Sequence, residues 1–581
     1  MERREESTDP AKLSKKELNK LKAREKKAAA IAAKKAQEPP QQVVDLSKYS
    51  HLFGTRPLVE APLKNSQERR VYVAIDQLTA KLHGSKVWVR GRIHRVRKAG
   101  SGMCFITLRQ RWATVQVLAQ ADEEGNVPLA MVNWLSKIKP ESIIDVYATV
   151  SRVQEKIEST SQQDVELKPI TAWVVSGVRQ TLPLRVQDAS IPESLLEAQR
   201  RELVELDEKL KKAREQLEQL KVGSPSEEEA IQRAQKEVDL LTDTKGRAVK
   251  YVDVDQSTRL DNRIIDLRTA ANQAIFAIQS ATTAFFREYL ISQSFIEIHT
   301  PKLVGEASEG GAEVFAVKYF ERNAYLAQSP QFYKQMAIGA DFDRVFEIGP
   351  VFRAERSDTP RHMTEFTGVD IEMQIYQHYH EVLTVLSNLF TYTFAKIEKH
   401  FAPELEIINQ QYPFRPIKYL EETPILKYVE IIDLLRDAGV DIGYFDDLNA
   451  AQERMLGEII YRKYQTDFYI IDKFPSQIRP FYSMACPEDP NYANAYDMFI
   501  RGEEMCSGAQ RIHDPEMLTQ RAIERGVDPP TIKNYIDTFC YGAPPHGGGG
   551  IGLERVVMLY LGLNNIRKTA MFPRDPYRLL P

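Results

Sequence analysis

Arginines, carboxylates and an aromatic ring recur at strand-like spacing in F-E-I-G-P-V-F-R-A-E-R-S-D-T-P-R-H-M-T-E-F-T-G-V-D-I-E-M, residues 346–373. The pattern predicts two strands joined by a polar loop at 356–361. Because side chains alternate between the faces of a strand, Arg353 and Glu355 should share one face of the first, and Phe366 and Asp370 one face of the second. Such a surface suits a nucleotide. Arg353 can hold an α-phosphate, Phe366 can stack adenine, and Arg361 and His362 can reach outer phosphates from the loop. Further on, G-G-G-G-I-G-L-E-R (547–555) reads as a glycine-rich turn opening a helix with the apolar stripe Leu553, Val556, Val557, Tyr560 and Leu561. Arg555 lies off that stripe in the first turn, at the positive end of the helix dipole. No Gly-Lys-Ser/Thr follows, so this is not a Walker A loop, and Arg555 stands where a dinucleotide fingerprint needs its third glycine. With no evident Ser/His/Asp triad or cysteine nucleophile, the expected chemistry is alignment and neutralisation of phosphate charge.

These groups need elements to hold them. F-R-E-Y-L-I-S-Q-S-F-I-E-I-H-T-P (286–301) predicts a helix with Ile275, Ile278, Phe285, Tyr289 and Leu290 on one face, then a strand over 295–298 that stops at Pro301. Residues 261–581 as a whole alternate helix and strand patterns and suit one large domain. From Val71 to Ser176 the texture is instead short β-rich runs with turn signals, as in a small barrel of OB type. In its third run Ile106 and Leu108 point inward, leaving Phe105, Thr107 and Arg109 outward. Phe105 is a platform on which a base could stack, Gln116 could read a base edge, and Arg97, Lys98 and Arg109 could add phosphate contacts. Residues 193–243 predict an inserted helical hairpin, with Leu203, Leu206, Leu210, Ala213, Leu217 and Leu220 on the first arm and Ile231, Ala234, Val238 and Leu241 on the second. Ser226 and Glu229 have the form of a capping box for the second arm.

Composition sets outer limits. The chain has 581 residues, enough for two or three domains, and a formal net charge of -3, which carries no overall nucleic-acid signature. The exception is the N-terminal stretch, where Lys15, Lys16, Lys20, Lys26 and Lys27 sit in a helix-forming run that could contact a nucleic-acid phosphate backbone. Four scattered cysteines without C-x-x-C spacing disfavour a zinc knuckle or a disulfide framework, and no apolar run is long enough to span a membrane. A cytoplasmic location is expected.

In this order and spacing, 286–301, 346–373 and 547–555 resemble motifs 1, 2 and 3 of the class II aminoacyl-tRNA synthetases. S-E-G-G at 308–311, Q-S-P-Q-F-Y-K-Q at 328–335 and R-G-E-E-M-C-S-G-A-Q-R at 501–511 extend the likeness. It covers nearly all of 66–190 and 250–581 and is strongest to subgroup b, the aspartyl family of the eukaryotic cytoplasmic kind. The resemblance implies an α+β chain: a basic N-terminal extension (1–65), an OB-fold anticodon-binding barrel (66–180), a hinge with the inserted hairpin (181–260) and a class II catalytic domain with an antiparallel sheet flanked by helices (261–581). It implies activation of L-aspartate with ATP and Mg²⁺, transfer to the 3′ end of tRNA(Asp), and a homodimer formed through motif 1. It leaves membership of a larger synthetase assembly open.

Carried over position by position, Arg353 and Arg555 resemble the arginines on the α- and γ-phosphates, Phe366 the adenine ring partner, and Glu355 the carboxylate near adenine and the tRNA end. Arg361, His362, Met363 and Gly552 complete the ATP site. Asp497 and Glu504 resemble the magnesium carboxylates, with Ser507 beside them. Ser308 and Glu309 fall in the mobile loop over the amino acid, Gln331 and Asp370 receive the α-ammonium, and Lys334 and Arg511 bind the side-chain carboxylate. Arg97, Phe105, Gln116 and Glu166 match anticodon-binding positions.

The substrate's α-carboxylate is already ionised at neutral pH, so its attack on phosphorus needs no protein base. Asparagine is nearly isosteric with aspartate, so selection must rest on charge. Lys334 and Arg511 are expected to be buried cations that asparagine would leave without a counter-charge, a penalty of roughly 3–5 kcal/mol. The alternatives are an asparaginyl or lysyl enzyme of the same subgroup, a small-molecule amidotransferase-like paralogue, or a non-catalytic tRNA-binding scaffold. The hairpin departs from the family pattern, where a much shorter hinge is expected.

Overall fold

A computed structural model describes residues 46–58, 70–222, 228–305 and 313–580, and the chain divides into two compact units at Gln180/Thr181. Lys15, Lys16, Lys20, Lys26 and Lys27, the Ser226 capping box, and Ser308 and Glu309 lie outside the described residues.

In the first unit, β2 (Lys86–Ala99), β3 (Met103–Gln110), β4 (Ala113–Gln120), β5 (Ile143–Arg152) and β6 (Val165–Ser176) close into a ring in the order β2, β3, β4, β6, β5, while β1 (Phe53–Thr55) adds parallel to β6. Closure follows from the period-two pattern. Val87, Val89, Ile93, Ile106, Leu108, Val115, Val117, Val146 and Leu167 all point inward and are buried, giving the OB-type barrel that the runs predict. Alternation fails at the end of β3. Arg109 does not point outward; it is 5% exposed, bonded to Glu141 at 2.9 Å and to His94 Nδ1 at 2.7 Å. A bulge in β2 between Ile93 and Arg95 brings the imidazole into reach, and the buried ion pair overrides the outward setting of a strand residue.

The second unit is built on an eight-stranded sheet in the order β13, β14, β15, β16, β17, β12, β11, β7. These strands are β7 (Ile296–Glu297), β11 (Arg344–Phe352), β12 (Glu365–Gln374), β13 (Ile425–Lys427), β14 (Phe468–Asp472), β15 (Ala495–Ile500), β16 (Glu503–Gln510) and β17 (His546–Gly552). It is antiparallel except at its two ends, where β13 runs parallel to β14 and β7 to β11. A small sheet of β8 (Leu303–Val304), β10 (Arg322–Leu326) and β9 (Ala316–Tyr319) stands beside it. The core joins the sheet to helices Ala270–Ser292, His380–His400 and Leu553–Tyr560, which flank it. On the first of these, Ile275, Ile278 and Leu290 are buried as predicted. Phe286 rather than Phe285 is their fully buried aromatic neighbour, eight residues beyond Ile278.

Two further expectations need correction. The first strand of the nucleotide-binding pair ends at Phe352, so Arg353 and Glu355 lie just beyond it, with Arg353 N still donating to Thr364 O at 2.9 Å. The glycine run is a strand, not a turn. A Cβ at Gly548 would lie 1.9 Å from Ile371 O and 2.5 Å from Glu372 Oε2, so this glycine lets β17 fit against β12 and the carboxylate it carries. The hairpin consists of Glu193–Val222 and Glu228–Ala248, running beyond residue 243, and Ala213, Leu217, Ala234 and Val238 pack between its arms.

Candidate active site

The central strands of the second unit open onto a cavity of about 1070 Å³. Arg353, Glu355, Arg361, His362, Met363, Phe366, Glu504, Gly552 and Arg555 line one region of it, and Gln331, Asp370, Ser507 and Arg511 also face it. Lys334 and Asp497 stand one layer behind, each tied to a lining residue.

Among the nucleotide candidates, the Arg353 guanidinium lies 5.6 Å from the Phe366 ring centre and 3.7 Å from Glu355. Arg555 donates to the backbone carbonyls of Glu504 and Arg361, both at 3.3 Å, and its charge acts on the Glu504 and Glu453 carboxyls without a hydrogen bond to either. Arg361 is already paired, with Glu453 at 3.1 Å and Glu503 at 3.8 Å. Burial and then the Arg555 charge push the His362 imidazole below its ordinary pKa, so at neutral pH it offers a neutral ring bonded to Thr359 Oγ1 at 2.6 Å.

The carboxylates of Asp497 and Glu504 project from β15 and β16. Burial, then the neighbouring Asp497 charge, pushes the Glu504 carboxyl up to about 7. Asp497 is not free for a cation as the motif suggests. Arg479 holds both of its oxygens, at 3.0 and 2.6 Å, and also donates to Ser507 Oγ at 3.0 Å.

At the amino-acid end, Lys334 and Arg511 are 2% and 4% exposed. Neither lacks a counter-charge. Lys334 Nζ is 2.9 Å from Asp370 and 3.6 Å from Glu372, while Arg511 donates to Glu372 at 3.1 and 3.3 Å and to Gly548 O at 2.9 Å. The expectation of cations awaiting a substrate carboxylate is corrected: an unpaired buried cation is too costly, and β12 supplies two carboxylates. Gln331, at the start of the helix Gln331–Gly339 that carries Lys334, donates to Gln335 at 2.8 Å.

Three residues escaped the sequence reading. Glu372 had a signal, since it follows Asp370 by two on one strand and must share its face. Glu554 adjoins Arg555 and accepts from Thr367 N and Oγ1, tying β12 to the last helix. Arg479 sits after a short 3-10 turn, Ser476–Ile478, where no periodicity marks a side chain's direction.

On the barrel of the first unit, the four base-contact candidates occupy adjoining strands. The Arg97 guanidinium covers the half-buried Phe105 ring at 4.7 Å, and Gln116 donates to Glu166 at 3.2 Å. Thr107, two residues from Phe105 on β3, pairs across the ladder with Gln116, which in turn pairs with Glu166. Lys98 bonds Asn133 at 2.8 Å.

Residues 255–576 match the family described as tRNA synthetases class II (D, K and N), and residues 87–169 match the OB-fold nucleic acid binding domain. The chain is 46% identical over 557 residues to the cytoplasmic aspartate–tRNA ligase of Homo sapiens, covering 95% of this chain and 100% of that one. Among solved structures, it resembles the aspartyl tRNA synthetase of Entamoeba histolytica with a TM-score of 0.77 and 44% identity, over 91% of this chain and 96% of that one. It also resembles the asparaginyl-tRNA synthetase of Pyrococcus horikoshii complexed with asparaginyl-adenylate, with a TM-score of 0.69 and 26% identity, over 88% and 100%.

Proposed function

The chain belongs to the class II tRNA synthetases (D, K and N), and we propose that within this family it is an aspartate–tRNA ligase, activating L-aspartate with ATP and transferring it to the 3′ end of tRNA(Asp). The observation that carries the choice of amino acid is the buried pair Lys334 and Arg511, set among Asp370 and Glu372 beside the nucleotide candidates. The greater identity to an aspartyl than to an asparaginyl structure points the same way.

Substrate binding is an exchange of ion pairs. The α-ammonium of aspartate takes Asp370, with Gln331 beside it, and Lys334 is released from Asp370 to meet the side-chain carboxylate together with Arg511. Two resident pairs become three, and every buried charge keeps a partner. Asparagine brings the ammonium without the carboxylate, so Lys334 loses Asp370 and keeps only Glu372 at 3.6 Å. The roughly 3–5 kcal/mol attached to a broken buried pair is therefore an upper bound on the discrimination.

The α-carboxylate then attacks the α-phosphate while Arg353 and Arg555 neutralise charge developing there and on the departing pyrophosphate. Phe366 stacks adenine with Glu355 near it, Arg361 and His362 reach the outer phosphates, and Met363 and Gly552 complete the ATP site; Ser308 and Glu309 contribute to holding the amino acid. The donor set fits Mg²⁺. Glu504 offers hard oxygens, with Asp497 and Ser507, both bonded to Arg479, beside it, and burial together with the Asp497 charge raises the Glu504 carboxyl, a cost that a cation relieves. When bound, Mg²⁺ supplies charge neutralisation on the phosphates.

Arg97, Phe105, Gln116 and Glu166 contact the anticodon, and the basic run from Lys15 to Lys27 adds salt-sensitive affinity for the tRNA backbone. A homodimer through motif 1 accounts for Ile291 and the edge-strand residue Ile296, 59% and 50% exposed. The relatives are named cytoplasmic, and that compartment is the reading for this chain.

ATP–pyrophosphate exchange with aspartate, asparagine and lysine side by side tests this. Exchange with aspartate alone is expected. Exchange with another amino acid overturns the pocket assignment, and none with any of the three, in folded protein with ATP and Mg²⁺, overturns the enzyme.

A further inference from the structure

We propose that Arg479 acts as a resident counter-cation that prevents the protein's own carboxylates from capturing a divalent ion, so that the ion enters with the nucleotide. This rests on the reading of Asp497 and Glu504 as the metal-holding pair. Asp497 is buried and Glu504 half-buried, and by themselves they would concentrate two negative charges next to the Ser507 hydroxyl. The Arg479 guanidinium meets Asp497 fork to fork and donates to that hydroxyl. It is itself fixed, lying 3.8 Å from the Phe474 ring centre with its side chain 11% exposed.

With Asp497 neutralised in this way, Glu504 is the one carboxylate of the pair left for an ion. A single carboxylate is a poor magnesium site, because Mg²⁺ gives up its water reluctantly and is held through one or two carboxylates plus substrate phosphates. The ATP-free pocket therefore does not fill with metal. When the triphosphate arrives it supplies the missing oxygens, and Glu504 completes them. Arg479 is a positioning residue here: it touches Asp497 and Ser507, and through them sets which oxygens remain available.

The test is binding of Mn²⁺, as the probe, to the full-length ATP-free protein, followed by the EPR signal of the free ion. Wild type is expected to leave that signal nearly unchanged. Arg479→Gln, which removes one positive charge beside the two carboxylates, should bind the ion at least roughly tenfold more tightly. Adding Asp497→Asn to that variant should abolish the gain, and Arg479→Lys, which keeps the charge, should not show it. A merely structural arginine predicts no gain of binding on substitution. If Arg479→Gln does not fold, Arg479→Met, which keeps packing against Phe474, takes its place. Tight Mn²⁺ binding by ATP-free wild type, or no gain in either variant, overturns the role of Arg479 and leaves the metal pair standing. If Glu504→Gln leaves binding of the Mn²⁺–ATP complex unchanged, the metal pair itself is overturned.

Discussion

Replacing Arg511 by leucine removes two hydrogen bonds to Glu372, at 3.1 and 3.3 Å, and one to Gly548 O at 2.9 Å. Glu372, fully buried, is left with Lys334 at 3.6 Å. Stranding one partner of a buried pair costs roughly 3–5 kcal/mol, so Arg511→Leu should lose both thermal stability and aspartate activation. The two losses respond differently to a second substitution. Adding Glu372→Gln removes the stranded charge but restores no cation for the substrate's carboxylate. The double variant is therefore expected to regain most of the stability. Its kcat/KM for aspartate in ATP–pyrophosphate exchange should stay lower by roughly a hundredfold to a few thousandfold, as 3–5 kcal/mol implies. KM for ATP should stay near the wild-type value, because Arg353, Phe366 and Arg555 are untouched. If aspartate activation returns along with stability, Arg511 only braces Glu372, and the ion-pair exchange is refuted.

Three further outcomes are expected. Burial and the neighbouring Arg109 push the His94 imidazole down to about 4, so the folded barrel binds fewer protons than the unfolded chain below pH 6.5. Stability is then fully present above that pH and is lost as pH falls toward 4, by up to about 3 kcal/mol; His94→Gln should flatten this part of the unfolding curve, and an unaltered acid profile contradicts it. Phe105→Ala should weaken tRNA binding by roughly 1–3 kcal/mol while leaving pyrophosphate exchange intact, and undiminished tRNA affinity removes the stacking role. Deleting residues 204–245 with a short replacement turn keeps the root of the hairpin, where Gln199 accepts from Lys250 N and Tyr251 N and Arg200 pairs with Asp253. Aspartate activation should survive that deletion, and its loss in a variant with normal thermal unfolding shows that the hairpin supports the catalytic unit.

What could be read in advance depended on periodicity. The inward residues of β3, the stripe Leu553, Val556, Val557, Tyr560 and the hairpin interface repeat at two or about three and a half residues, and burial enforces those repeats. The strand holding Phe366 and Asp370 was legible for the same reason, and Glu372 should have been. Alternation predicts a direction but not a partner. It could not show that Arg109 turns inward to Glu141 and His94, because the residues meeting there lie in three separate stretches of sequence. Nor could it show that the glycines of β17 make room for a carboxylate on the next strand. Arg479, in irregular chain after a 3-10 turn, offered no period to read.

The pairings across the cavity have a common logic. Lys334 with Asp370, Arg511 with Glu372, and Arg479 with Asp497 bring oppositely charged side chains together where an isolated charge would be prohibitively expensive. A site meant to bind a zwitterion with an extra carboxylate and a metal–triphosphate complex cannot hold its charges bare while it waits. Holding them in pairs lets each incoming charge take over a partner that is already buried, so no charge is left bare before or after binding. Affinity then depends on the difference between two ion pairs rather than on the full strength of one, which favours turnover over tight binding. Selectivity survives because a ligand that lacks one of the charges leaves the exchange incomplete. Arg555, whose hydrogen bonds go to carbonyls while Glu504 and Glu453 act on it only through their charge, is the exception, and it sits where the leaving pyrophosphate would accumulate negative charge. A cation aimed at charge that develops during the reaction contributes most when nothing in the ground state has already neutralised it.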